Sequence, residues 1–413
     1  MTLAVKKIRE DFTILNQIRN GKPIIYADSA CMALKPRQVV DCLIDYYTKF
    51  TACAGRSPHF FSRETTKRYE EARESLASFI NAKDPSEIAW TKNTTEALNL
   101  GADCLKLDGT ETIITSSESH NSNIVKWIRL KDHNKVKLEI METRIDGFFD
   151  MENFADTVSR CEEGKFLASF AHVSNVTGAR LDIKEIGKIV HEREGILQVD
   201  AAQSFPHMPI DVQELDIDLM GVSMHKACGP TGMGFLYGKY DILKDLEPLI
   251  LGGETISDVH IHPDEITLLP PPFRFEAGLQ NYAGAIASGA AVEYLSSIGM
   301  ENITAHEELL SETMLKGLAD LGDRISVLGP EDPKKRAGLA AIDLKDINPH
   351  DVAILLDEMA NIMLRAGYHC THAYHHSLHL EEGTLRPSWY LYNTVDEVKV
   401  FIETLTEIVD SMS

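Results

Sequence analysis

The 413-residue chain is 44% hydrophobic and 25% charged, the balance of an ordinary soluble globular protein, and it is long enough for two domains rather than one core. A formal net charge of −22 argues against a nucleic-acid or anionic-membrane partner, since both need a basic face. No apolar run of about 18 residues predicts a membrane span. The charges in "MTLAVKKIREDF" fall where a signal peptide would carry its apolar stretch. The seven cysteines (31, 42, 53, 104, 161, 228 and 370) are scattered and odd in number, which points away from a disulfide framework and toward a reducing cytoplasm.

In chain order, "IREDFTILNQIRNGKPIIYADSACMALKPRQVV" reads as a helix, a turn at Asn20-Gly21 and a short strand ending at Asp28. From about residue 85 to 240, short apolar strands alternate with amphipathic helices. The strands are "ETIITS", "KFLASFAHVS", "ILQVDAAQ", "DLMGVSM" and "MGFLYG"; the helices include "TTEALNLGADCLK", "NSNIVKWIRLK" and "IKEIGKIVHERE". That alternation predicts an α/β fold, with a large three-layer α/β/α domain and a mainly parallel sheet over residues 25–290. A Pro-rich segment, "LLPPPFRFEAGLQN", and a small-residue helix, "YAGAIASGAAVEYLSSIG", lead into a helix–strand–helix–strand pattern. Residues 1–24 and 291–413 are expected to form a smaller α/β domain. No G-x-G-x-x-G follows the first strand, which argues against a nicotinamide dehydrogenase.

Parallel sheets gather ligands at the carboxyl ends of their strands. Ser174, Asn175, Asp200, Gln203, Ser223, His225 and Lys226 all fall at such ends. Lys226, in "VSMHKACGP", sits between an apolar strand and a Gly-Pro turn. Desolvation there lowers a lysine's pKa, as an imine-forming lysine requires. Asp200 ends "GILQVD" and can pair with the protonated ring nitrogen of pyridoxal phosphate, keeping the ring electron-poor. Gln203 can bond the ring's phenolic oxygen. Thr94 and Thr95 open a helix whose free N–H groups suit a phosphate, with Ser223 and His225 closing from the other side. His120, in "ESHNSNIVKW", can stack on the ring and move protons. Singly, each has a plain structural reading as a surface lysine, turn cap, helix cap or polar contact. Their order along one α/β pattern favours a pyridoxal phosphate site.

The block "VDAAQSFPHMPIDVQELDIDLMGVSMHKACGPTGMGFLYG" closely resembles the cofactor-lysine region of class V aminotransferase-fold enzymes. Within them the chain looks most like the cysteine desulfurases of the sulfur-mobilisation, or group II, type. "YADSACMALKP", "NTTEALNL", "HVSNVTGARLDIKEI", "RFEAGLQN", "LRAGYHC" and "LRPSWYLYNT" match further blocks in order, over nearly the whole chain. The resemblance implies a fold-type I pyridoxal phosphate enzyme, active as a homodimer, that converts L-cysteine to L-alanine. It implies Lys226 as the Schiff-base lysine, Asp200 as the ring-nitrogen partner and His120 as the stacking residue. Gln203 then contacts the phenolic oxygen; Thr94, Thr95, Ser223 and His225 hold phosphate; Asn175 and Arg386 take the substrate carboxylate. Cys370 is the sulfur acceptor, forming a persulfide destined for iron–sulfur cluster or thio-cofactor assembly through an acceptor protein. His369 and His120 are candidates to manage its proton. The alternative is a selenocysteine lyase, epimerase or transaminase on the same fold that does not depend on Cys370.

The chain departs from the family pattern at Leu279, where a threonine is common, and at Tyr368 and Asn121, where histidines are common. The histidine-rich stretch "YHCTHAYHHSLHLEE" reads as a polar loop rather than a zinc site, since no Cys-x-x-Cys pair accompanies it, and no metal is expected.

Overall fold

The computed structural model describes residues 3–104 and 107–412. Its centre is a seven-stranded sheet. The strands are β1 (Ile88–Thr91), β2 (Thr112–Ser116), β3 (Lys137–Met141), β4 (Phe166–Ala171), β5 (Ile196–Asp200), β6 (Leu219–Ser223) and β7 (Gly234–Gly238). Their spatial order is β1-β7-β6-β5-β4-β2-β3. Only β7 runs against the rest, pairing antiparallel with both β6 and β1. Every residue of β2, β6 and β7 is buried. Strands covered on both faces carry continuous apolar runs, which is why they are readable in the sequence.

Helices α1 (Arg37–Lys49), α2 (Phe60–Phe79), α3 (Thr94–Cys104), α4 (Asn121–Asp132), α5 (Met151–Ser159) and α6 (Ile183–His191) lie between or before the strands. The small-residue helix is α7 (Tyr282–Ile298), which packs against α1 and α2. Its composition follows from how closely the helices approach: a Cβ added at Gly289 would lie 2.8 Å from Ala72 Cα. The expected domain division at residue 290 therefore falls inside one continuous helix.

After α7 come α8 (Met300–Ala319), α9 (Pro349–Ala360) and α10 (Val395–Met412). They cover a four-stranded antiparallel sheet of β10 (Ser326–Val327), β11 (Ile342–Asp343), β12 (Arg365–Gly367) and β13 (Thr384–Arg386), in the order β10-β11-β13-β12. An exposed hairpin, β8 (Ile256–Ile261) with β9 (Asp264–Leu268), stands apart from both sheets. The N-terminal segment is shared. Ile8, Phe12, Leu15 and Ile24 join the large core, whereas Ile25 and Ala27 join the smaller one. Asn20 and Gly21, both left-handed, make the expected turn. Among the described residues no helix is long and apolar enough to cross a membrane.

Candidate active site

The carboxyl ends of β5 and β6 open on a cavity of about 230 Å³. Asp200 is the last residue of β5; Ser223 ends β6, and Lys226 lies one turn beyond it. The Asp200 carboxylate is buried and accepts one hydrogen bond, from the Ala202 amide at 2.9 Å. Burial raises its pKa, against the Ala202 bond and the nearby Lys226 charge. Burial lowers that of Lys226; Asp200 opposes the shift and Arg386 adds to it. A lysine made easier to deprotonate beside an electronegative strand end is poised to act as an amine. Gln203 donates from Nε2 to the Ala30 carbonyl at 2.8 Å, and its Oε1 is buried without a partner among the described residues.

The opposite wall is the N-terminus of α3. Asn93 caps it by accepting from the Glu96 amide at 3.0 Å. Thr94 is buried and bonds Ser223 twice, from its amide at 2.8 Å and through its hydroxyl at 2.7 Å. Thr95 Oγ1 lies 2.6 Å from Ser122 Oγ. His225 lines the same space, its pKa pushed down to about 4 by burial and then by Lys226 and Lys35. His120 caps α4, its Nδ1 accepting from the Ser122 amide at 3.1 Å. Burial, then Lys226, Arg365 and Arg386, pushes it down to about 3, so it is a neutral ring at ordinary pH.

The third wall comes from the smaller sheet. Arg386 ends β13, fully buried; it donates from Nη1 to the Asn175 carbonyl at 2.9 Å and pairs through Nη2 with Asp28 at 3.4 Å. Its Nε has no partner among the described residues. Asn175 Nδ2 donates to the His369 carbonyl at 2.8 Å. Cys370 follows in a left-handed conformation, φ +62°, as does His369 at +50°. The Asn121 amide donates to the Cys370 carbonyl at 2.8 Å, and Arg365 Nη2 reaches the Cys370 sulfur at 3.4 Å. His369 is buried, with Nε2 turned to Thr384 at 3.0 and 3.1 Å, and burial holds its pKa well below the usual histidine value.

Eleven of the residues singled out from the sequence lie around one space: Thr94, Thr95, His120, Asn175, Asp200, Gln203, Ser223, His225, Lys226 and Arg386 line it, and Cys370 is joined to it through Arg365; His369 lines it too, whereas Ser174 turns its hydroxyl to Glu118. Asp28, Cys31 and Arg365 were not singled out. Arg365 lay in plain view within "LRAGYHC", five residues before Cys370, and Asp28 and Cys31 lay within the matching block "YADSACMALKP". Of the other histidines in the rich stretch, His372 bonds Asn121 at 3.0 Å and His376 bonds Glu381 at 2.9 Å, while His375 shares the Thr384 hydroxyl with His369, at 3.1 Å. Leu279 is exposed, and Gln280 bonds its own loop at 3.1 Å.

The donor set fits pyridoxal phosphate. Hydroxyls at a helix N-terminus suit its phosphate, a buried carboxylate suits its ring nitrogen, and a half-buried lysine suits its aldehyde. A buried lysine–aspartate pair at neighbouring strand ends, facing a hydroxyl-lined helix terminus, defines a pyridoxal phosphate enzyme of the α/β class. The chain belongs to the aminotransferase class-V family, whose model matches residues 25–401, and that family's cofactor is pyridoxal phosphate. The chain is 38% identical to a probable cysteine desulfurase of Streptomyces coelicolor, over 98% of this chain and 97% of the relative. It is 39% identical to one from Synechocystis, covering 96% and 94%. Among solved structures, the apo cysteine desulfurase of Thermococcus onnurineus superposes with a TM-score of 0.92 at 35% identity, over 100% of this chain and 99% of that one. The Escherichia coli cysteine desulfurase CsdA gives 0.88 at 30% identity, over 99% of each.

Proposed function

We propose that this protein is a pyridoxal phosphate-dependent cysteine desulfurase that converts L-cysteine to L-alanine and leaves the sulfur as a persulfide on Cys370. The observation that carries the reading is the meeting of two chemistries at one cavity: Lys226 with Asp200, and the Cys370 sulfur with the Arg365 guanidinium at 3.4 Å.

When bound, pyridoxal phosphate supplies a carbonyl that condenses with amines and a ring that withdraws electrons from the substrate's Cα. Thr94, Thr95, Ser223 and His225 hold its phosphate, and Asp200 keeps a proton at its ring nitrogen. Gln203 steadies the phenolic oxygen, and neutral His120 covers the ring face. Arg386 and Asn175 receive the substrate carboxylate, which takes the place Asp28 holds on the guanidinium. Lys226, with its lowered pKa, removes the proton at Cα as an amine and returns it. Cys370 Sγ attacks the substrate Sγ as a thiolate whose charge Arg365 stabilises; the substrate's Cβ–Sγ bond breaks, its electron pair stays with Cβ, and protonation there gives alanine.

The persulfide serves iron–sulfur cluster or other sulfur-cofactor assembly through an acceptor protein, in a reducing cytoplasm; the cysteines among the described residues are free. We read the active form as a homodimer, with exposed Ile250 and Leu279, which line a pocket that shares Asn93 with the active-site cavity, as the apolar contact. We read the larger unit as ending with α7, and Gly299 as the junction to the smaller unit. The test is incubation with L-cysteine followed by mass spectrometry. The expected result is alanine together with consumption of the Cys370 thiol, both lost in Cys370→Ala while borohydride still fixes a pyridoxyl group to Lys226. Selenocysteine turnover that survives Cys370→Ala overturns this in favour of a lyase.

A further inference from the structure

Among the described residues, Cys31 is the one thiol besides Cys370 that shares the active-site guanidinium. Arg365 Nη1 lies 3.9 Å from the Cys31 sulfur while its Nη2 lies 3.4 Å from that of Cys370. Cys31 itself lines the cavity that holds Lys226, Asp200 and Arg386. Its thiol also faces the Asp28 carboxylate; burial raises that carboxyl's pKa, while Arg386, Arg365 and Cys31 itself favour the ionised form. A structural cysteine needs neither a cation nor a carboxylate beside it. A reacting one needs both, to lose its proton and to hold its charge.

We infer that Cys31 is a resolving thiol that discharges the persulfide as hydrosulfide. The inference rests on the reading of Cys370 as the sulfur acceptor. Cys31 gives its proton to Asp28 and attacks Cys370 Sγ as a thiolate. A Cys31–Cys370 disulfide bond forms, and the bond from Cys370 Sγ to the outer sulfur breaks. The electron pair leaves with the outer sulfur, which takes the proton and departs as hydrosulfide. Two cysteine sulfurs are oxidised and one sulfane sulfur is reduced, so the step balances without an added oxidant. A dithiol reductant then restores both thiols. Attack at the inner sulfur is favoured because hydrosulfide, the anion of a stronger acid than an alkyl thiol, is the better leaving group. Arg365 spans both cysteines and neutralises whichever is the anion.

The test uses the holoenzyme with a single turnover of L-cysteine under nitrogen, without added thiol. Alanine is quantified, hydrosulfide is trapped with a fluorogenic alkylating bimane, and peptides are mapped without reduction. Wild type is expected to release hydrosulfide nearly equal to alanine and to end with Cys31 cross-linked to Cys370. Cys31→Ser and Cys31→Ala are expected to cut hydrosulfide by about tenfold relative to alanine and to retain the added sulfur on Cys370. A stable Cys370 persulfide beside a free Cys31 in wild type overturns the inference, as does an added sulfur found on Cys31. Alanine formed with no added sulfur on Cys370 in the Cys31 variants sinks the acceptor reading itself, and the inference with it.

Discussion

Arg386 donates to the backbone carbonyl of Asn175 at 2.9 Å, so the two residues assigned to the substrate carboxylate already form one unit. The Asn175 amide in turn holds the His369 carbonyl at 2.8 Å, one residue before the acceptor cysteine. Carboxylate binding and placement of the sulfur acceptor are therefore mechanically joined. Arg386→Lys keeps the charge but loses the fork that serves Asn175, Asp28 and a carboxylate together. We expect kcat/KM for L-cysteine to fall about a hundredfold, matching ~2–3 kcal/mol of charge-assisted hydrogen bonding. Steady-state kinetics check this, and an unchanged visible cofactor band separates it from cofactor loss.

The Asp200 carboxylate accepts one hydrogen bond, from the Ala202 amide, and otherwise answers the charge of Lys226. Asp200→Asn preserves shape and removes the negative charge from the ring nitrogen. The expected outcome is a kcat lower by about 10²–10³-fold, the scale of losing one preorganised electrostatic group. Because the aspartate opposes the desolvation of Lys226, the lysine's pKa falls further. The midpoint of the cofactor band's pH titration should shift to lower pH in the variant. A midpoint that stays or rises contradicts the assignment.

The large sheet was legible in the sequence where strands are covered on both faces, because β4, β5 and β6 are buried along nearly their whole length and mostly apolar. The strand β3 was missed for the converse reason: it is the sheet edge, and its Lys137 and Glu139 face solvent. The hairpin of β8 and β9 was missed too, since exposed strands pack against no core that would impose a pattern. Asp200 was readable because it ends its strand, and Lys226 because it follows a strand end by one turn. Cys31 was not, because its partner Arg365 is brought to it across 334 residues by the parallel pairing of Ile25–Tyr26 with Ile362–Met363. No local pattern encodes that meeting.

The loop carrying Cys370 is held from below by Gly383, at φ +78°. A Cβ there would lie 2.5 Å from the carbonyl carbon of Gly367, three residues before Cys370. Gly383→Ala must therefore displace either β12 or the turn into β13. We expect stability to fall by about 1–3 kcal/mol and persulfide formation to slow by more than tenfold, with pyridoxal phosphate still bound. Denaturant titration and rapid-quench mass spectrometry read the two effects separately. Slowed cofactor binding with normal persulfide formation would place the strain elsewhere.

Buried neutral histidines give the protein a predictable acid weakness. His172 is fully enclosed, its Nδ1 lacks a partner among the described residues, and burial with Arg180 pushes its pKa down to about 4. His120, His225 and His369 are lowered by burial as well. Each takes up a proton near pH 6.5 when unfolded but not when folded, so acid favours the unfolded chain. Their contribution is complete above about pH 6.5 and declines as the pH falls toward the folded values. His191, raised chiefly by its bond to Asp218, acts in the opposite sense: its contribution is present below about 6.5 and lost as pH rises through its folded value. His306 and His375 are lowered too, so six histidines against one set the sign of the histidine contribution, and the melting temperature should fall between about pH 7 and about pH 5, with more than one proton taken up on unfolding. His172→Asn removes one such group, and its melting temperature should depend less steeply on pH over that interval. Calorimetry across the interval measures both slopes, and equal slopes would mean that His172 is already protonated in the native protein.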